Sequence, residues 1–172
     1  MLTFGEAISN CFKKYATFTG RARRSEYWYF VLFVFIISVV CNLLQLISHS
    51  FVYLSYLFSL ALMLPNIAVM VRRLHDVGKS GWWYFATFIA AIPLVIISLG
   101  LTVTSLASYP VHAAATVHNQ VLIMSLVVLL LALILVAYSI VLVVWCCGDS
   151  HKETNRYGPS PKYGEESSDT VW

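Results

Sequence analysis

Charge is what this sequence has least of. Asp, Glu, Lys and Arg make up 11% of its 172 residues, against roughly 25% in an ordinary soluble domain. Two long stretches have none at all: Tyr27 to Val71, 45 residues, and Ser80 to Gly148, 69 residues. With 59% of the chain hydrophobic, one soluble core could not hide so much apolar surface, so lipid must take up part of it. A membrane-crossing helix needs about 20 apolar residues. The first stretch therefore fits two spans and a tight turn, and the second two spans and a longer loop. A single span in either would leave apolar backbone stranded in water.

Other shortages narrow the reading further. The four cysteines, Cys11, Cys41, Cys146 and Cys147, avoid the loops expected outside, so no structural disulfide is expected. Their spacing matches no zinc motif, and no metal or other cofactor is expected. The first apolar run begins 26 residues in, exceeds the h-region of a signal peptide and lacks a clean cleavage site, so it reads as a retained anchor. Inside the spans no acid or base occurs, save His49 at an edge, whereas proton- and ion-coupled carriers place such groups there.

The expected fold is thus an all-α integral membrane protein, a four-transmembrane-helix bundle. Its spans are about 27–48, 51–71, 82–107 and 121–147, flanked by an amphipathic cytoplasmic segment over 1–26 and an irregular tail over 148–172. Orientation follows from the basic residues. Lys13, Lys14, Arg21, Arg23 and Arg24 precede the first span, Arg72, Arg73 and Lys79 join the second to the third, and Lys152, Arg156 and Lys162 follow the fourth. All lie on one side, which the positive-inside rule makes the cytoplasm, so both ends are expected there. Trp28, between Tyr27 and Tyr29, and Trp82 and Trp83, before Tyr84, stand where interfacial anchors belong.

At the start, Thr3 and Glu6 have capping-box spacing. Phe4, Ala7, Ile8, Cys11, Phe12 and Tyr15 follow at helical spacing, with Lys13 and Lys14 on the other face. This predicts a short amphipathic helix, lying in the membrane interface or packed against the protein's own loops. The spans carry uncharged polar stripes: Ser38, Asn42, Gln45 and His49 in the first, Ser55, Ser59 and Asn66 in the second, Ser98, Thr102 and Ser105 in the third. Packing between helices is the main expectation for them, with a substrate pathway as the alternative. Pro65 and Pro93 interrupt the second and third spans.

Three motifs occupy the basic side. They are Gly20-Arg21-Ala22-Arg23-Arg24-Ser25-Glu26-Tyr27-Trp28, the stretch Arg72-Arg73-Leu74-His75-Asp76-Val77-Gly78-Lys79-Ser80-Gly81-Trp82-Trp83, and Asn155-Arg156-Tyr157-Gly158-Pro159-Ser160-Pro161. Together they resemble the bacterial inner-membrane domain-of-unknown-function family 805, from about Phe12 to Lys162. The resemblance implies a small multi-pass protein of the bacterial inner membrane. It implies no activity.

Glu26 and Asp76 are the acids beside the bilayer there, and Arg21, Arg24, Arg72 and Arg73 are near the same depth. One reading is an ion-pair network tying the first span to the loop between the second and third, with His75 bonded inside that loop. The other is a site for an anionic lipid headgroup or phosphate, which the planar donor fork of arginine suits. Gly78-Lys79-Ser80 is not a P-loop, because Arg73 stands where the first glycine is required. His75 and Asp76, adjacent on a helix, do not face each other and have no nucleophile with them. His49, His112 and His118 on the far side fix no metal geometry.

The expected function is a non-enzymatic interaction or anionic-lipid-associated module of the envelope. The alternatives are a transporter or channel subunit acting as an oligomer and, third, a membrane enzyme. Expected partners are membrane lipids and a second copy or another membrane protein, not nucleic acid.

Overall fold

The structure, a computed structural model, describes residues 2–107 and 114–163. Among them are five α-helices and no strand: α1 (Phe4–Lys13), α2 (Arg24–Ile47), α3 (Phe51–Asp76), α4 (Trp82–Ala107) and α5 (Ala114–Cys147). The last four are long and apolar enough to cross a membrane. Their large apolar side chains point outward. Leu46, Ile47, Tyr53 and Ile96 are exposed, and no described side chain of α4 is buried. Such faces are stable only against lipid.

The chain divides into two compact units. One comprises Met1–Gly81 with Trp145–Trp172, the other Trp82–Val144. In the first, α1 begins with the expected capping box: the Glu6 amide donates to Thr3 Oγ1 at 3.4 Å and the Thr3 amide to Glu6 Oε2 at 2.8 Å. The backbone and hydroxyl of Thr3 hold the Glu6 carboxyl below its usual range. The apolar face of α1 packs along the start of α2. Phe4 meets Tyr29 edge-on, and Phe12 meets Phe30 and Phe33, while Ala7 and Cys11 are buried.

Pro65 lies inside α3 and has no N–H for the carbonyl four residues back. That carbonyl belongs to Ala61, and the hydroxyl of Tyr15, just past α1, donates to it instead.

The second span was expected to end at Val71, but α3 runs on through Arg72–Asp76, so His75 is helical rather than in a loop. Charge ends an apolar run without ending a helix. What ends α3 is Gly78 at φ +74°. The Lys79 amide bonds the Leu74 carbonyl at 2.8 Å and the Gly78 amide the His75 carbonyl at 3.1 Å. This crossed pair is the Schellman closure that a left-handed glycine permits. Gly81 serves differently: a Cβ there would stand 2.7 Å from Val71 Cγ1, so the returning chain needs the missing side chain to pass.

In the second unit the Tyr138 hydroxyl donates to the Trp83 carbonyl at 2.5 Å. Helix α5 begins at Ala114, seven residues before the fourth span was expected to start. Part of the presumed polar loop is therefore helical, and residues 108–113 lie outside the described residues.

Candidate functional site

The last turn of α3 presents Arg72, Arg73 and Asp76 on the inside of the first unit. The extended segment before α2 runs beside it, joined by the Ala22 amide to the Arg72 carbonyl at 3.1 Å. That pairing sets Arg21 against Asp76, with Arg21 Nε 2.9 Å from Asp76 Oδ1. Arg73 Nη1 holds the other carboxylate oxygen, which also accepts from the Ser150 hydroxyl. Asp76 is fully buried, as is Arg73. One turn away, Arg72 Nη1 pairs with Glu26 Oε1 at 2.7 Å, both almost wholly buried.

Two acids cannot neutralise three guanidinium groups, and backbone carbonyls take up the excess. Arg21 Nη1 donates to Glu153 O at 3.0 Å and Gly158 O at 3.2 Å, and Nη2 to His151 O at 2.6 Å and Asp76 O at 3.3 Å. With Asp76 Oδ1, this occupies all five of its donors. Arg73 reaches Cys146 O at 3.0 Å, Ala22 O at 3.4 Å and Gly148 O at 2.6 Å. Carbonyls at the end of α5 carry the negative end of the helix dipole, which favours a cation there. Burying an ion costs several kcal/mol unless pairing and hydrogen bonds are both complete, and here they nearly are. Among the described residues, Arg72 Nη2 is the one nitrogen of these guanidinium groups that is buried without a hydrogen-bond partner, and the Ser160 hydroxyl is likewise unpartnered. Arg72 belongs to a small cluster with Glu26 and Cys11, whose sulfur is 3.9 Å from Glu26 Oε1. Burial, with the neighbouring Glu26 charge, pushes the Cys11 thiol up to about 12, so it stays protonated and apolar in character.

His75 sits at the edge of this cluster. Its ring stacks on Tyr157 at 3.7 Å and 5°, and Nδ1 lies 3.3 Å from Gly20 O. Arg24 is not part of the buried group. It is exposed and pairs with Asp149 at 2.8 Å, as does Lys162 at 3.0 Å. The hydrogen bond from Lys162, then the Ser150 amide, then Arg24 hold the Asp149 carboxyl below its usual range. Trp28, Trp82 and Trp83 are exposed at the starts of α2 and α4. Ser38, Asn42, Gln45, Ser59 and Asn66 line a cavity between α2 and α3. His49 is exposed in the turn after α2. His112 and the side chains of His118 and Ser105 lie outside the described residues. Among the described residues no group of three His, Cys, Asp or Glu could hold a metal ion.

Sequence reasoning missed the tail's part. Expected to be irregular, it has no helix over 148–163, only an isolated bridge between Asn155 and Gly158. Yet it lies across the helix ends. The His151 amide bonds Asp76 O at 3.1 Å and Asn155 Nδ2 bonds His75 O at 2.9 Å. Arg23 Nε reaches Pro161 O, and Ser150 and Ser160 are buried. The available signal was the run Asn155–Pro161 itself, a specific motif beyond the last span.

Fold and site together define a multi-span helical membrane protein whose first two spans are clasped at one end by buried arginine–carboxylate pairs. The chain belongs to the family described as protein of unknown function (DUF805), whose model matches residues 15–159. It is 44% identical over 88 residues to inner membrane protein YhaI of Escherichia coli K12, covering 49% of this chain and 75% of that one. It is 38% identical over 90 residues to inner membrane protein YhaH of the same strain, covering 49% and 74%. No solved structure matches.

Proposed function

We propose that this chain is a non-enzymatic protein of the bacterial inner membrane, with both ends in the cytoplasm, acting as an envelope module that associates with anionic lipid. The names of its relatives and its one-sided basic residues support the location. The non-enzymatic reading rests on the state of the rim: its buried acids and arginines are held by one another and by backbone carbonyls, with Arg72 Nη2 the exception, and His75 is stacked on Tyr157 with no nucleophile described beside it.

The observation that carries the lipid reading is a division of labour among the arginines. Arg72 and Arg73, the obvious headgroup ligands by sequence, are 1% and 0% exposed and offer no open face. The accessible basic groups form an outer shell. Arg24 and Lys162 line a cavity of about 350 Å³ with Arg23, Ser25 and Tyr29, with Asp149 in the same wall. The α2 N-cap, Arg23, supplies no side-chain cap, so first-turn amides of α2 add to the attraction for an anion. Each basic residue near an anionic leaflet contributes about 1 kcal/mol.

Native mass spectrometry of the detergent-purified protein tests this. Arg24→Ala/Lys162→Ala is expected to lose most retained anionic lipid while melting within about 2 °C of wild type, since exposed pairs contribute roughly 0–1 kcal/mol. Equal retention by both proteins would remove lipid binding and leave the rim as a structural clasp. Reporter fusions at each end test the orientation, and an external signal from either end would overturn it.

A further inference from the structure

The polar stripes of α2 and α3 face each other across a cavity of about 480 Å³, within the size range of ligand sites, roughly 300–1,000 Å³. Among the described residues one bond between side chains closes it, Gln45 Nε2 to Ser55 Oγ at 2.5 Å, near the turn between the helices. The other polar groups bond locally or not at all. Ser38 donates to Val34 O at 2.8 Å, Ser55 to Phe51 O at 3.2 Å, and Asn42 Nδ2 to Ser38 O at 2.7 Å. This leaves the carbonyl oxygens of the Asn42 and Gln45 amides without a hydrogen bond from the described residues. The Ser59 hydroxyl and the whole amide of Asn66 are in the same position.

At 1.5 Å per residue, Asn66 lies about 15 Å from the charged end of α3 and Ser55 about 30 Å. Over a hydrocarbon core of about 30 Å, the cleft occupies the leaflet opposite the rim. Unmet hydrogen-bonding groups are costly at that depth. No Asp, Glu, Lys, Arg or His lines it, so a charged occupant would shed its hydration with nothing to replace it. A second copy of these helices does not suit it either. Their polar amides already point into the cleft, and their outer faces, with Leu43, Leu46 and Leu60 exposed, are mainly hydrocarbon, Tyr53 adding one hydroxyl.

We propose that the cleft between α2 and α3 binds an uncharged amphiphile whose head carries hydroxyl and carbonyl oxygens, of the diacylglycerol kind. The head bonds Asn42, Ser59 and Asn66 while its chains remain in lipid. This site is separate from the basic rim and does not depend on the reading given above.

The test uses the full chain in nanodiscs of zwitterionic lipid containing a diazirine-bearing diacylglycerol. Photolabel is expected within residues 34–45 and 52–66 and is displaced by unlabelled diacylglycerol. It falls at least about tenfold in Asn42→Leu/Asn66→Leu, the step that one lost hydrogen-bonded contact of ordinary strength produces. Displacement is read on the wild type, so the test stands even if the variant does not fold. Absent label, label spread over all spans, label insensitive to competitor or substitution, or equal labelling by a photoreactive phosphatidylglycerol would each overturn the proposal.

Discussion

Asp76 accepts from two guanidinium groups and a serine hydroxyl at a point with no solvent exposure. Replacing it by asparagine keeps the volume and removes the charge. Arg21 and Arg73 are then buried with neutral acceptors alone, one amide oxygen and the backbone carbonyls, and breaking one partner of a buried pair costs about 3–5 kcal/mol. Asp76→Asn is expected to lower the melting temperature in detergent by roughly 10 °C. Arg24→Ala, at a pair whose side chains are 43% and 56% exposed, is expected to move it by about 2 °C or less. Equal shifts would refute the distinction between clasp and outer shell. That Glu26 and Asp76 stand near several arginines was legible in the sequence, because acids are so scarce there. Which arginine meets which acid was not. Arg23 and Arg24 are neighbours, yet one reaches the tail at Pro161 and the other the exposed Asp149. The remaining acceptors are backbone carbonyls, at Ala22, Ala68, Asp76, Cys146, Gly148, His151, Glu153 and Gly158. Any residue carries a carbonyl, so side-chain identity gives no sign of them.

Helix α3 shows how an element reads differently from its composition. Its apolar run stops at Val71, but Arg72 through Asp76 stay helical because their charges find partners inside the protein and nothing breaks the backbone before Gly78. The returning chain then passes Val71 so closely that Gly81→Ala must displace a buried, β-branched side chain. Overpacking of this kind costs about 1–3 kcal/mol. Val71→Ala in the same molecule is expected to recover much of that loss, and a double variant no better than the sum of the singles would contradict the contact. Pro65 was legible as an interruption, while its remedy was not, since Tyr15 is 46 residues from Ala61. Tyr15→Phe is expected to cost about 1 kcal/mol in the native background. It should cost close to nothing in Pro65→Ala, where the restored N–H takes the Ala61 carbonyl. Thermal melting of the four proteins gives the coupling directly, and additivity would mean that the hydroxyl does not substitute for the missing amide.

Taken along the chain, the contacts of the rim join residues up to 138 positions apart, Arg21 to Gly158 at 137 and Arg23 to Pro161 at 138. The sequence showed a polar tail rich in Ser, Gly and Pro, a composition that is poor in helix and strand, and its described residues, 148–163, contain no helix. Its docking was not legible, because a segment held by its backbone needs no apolar periodicity. Arg21 is the joint: four of its five hydrogen bonds go to backbone carbonyls, three of them in the tail. The outer contacts of the tail, Arg24 and Lys162 with Asp149, are exposed and screened by salt. These two layers predict different responses. Raising salt to ~1 M shortens the Debye length to about 3 Å and weakens only the outer layer, so tryptic cleavage at Lys152 and Arg156 should rise little. Arg21→Ala removes the inner layer and should speed cleavage at both sites by more than about tenfold, since losing several charge-assisted bonds of about 1.5–3 kcal/mol each shifts the docked tail toward the free state. If salt alone released the tail as fully as the substitution, the tail would be held by surface charge, and the buried carbonyl bonds would not be what fastens it.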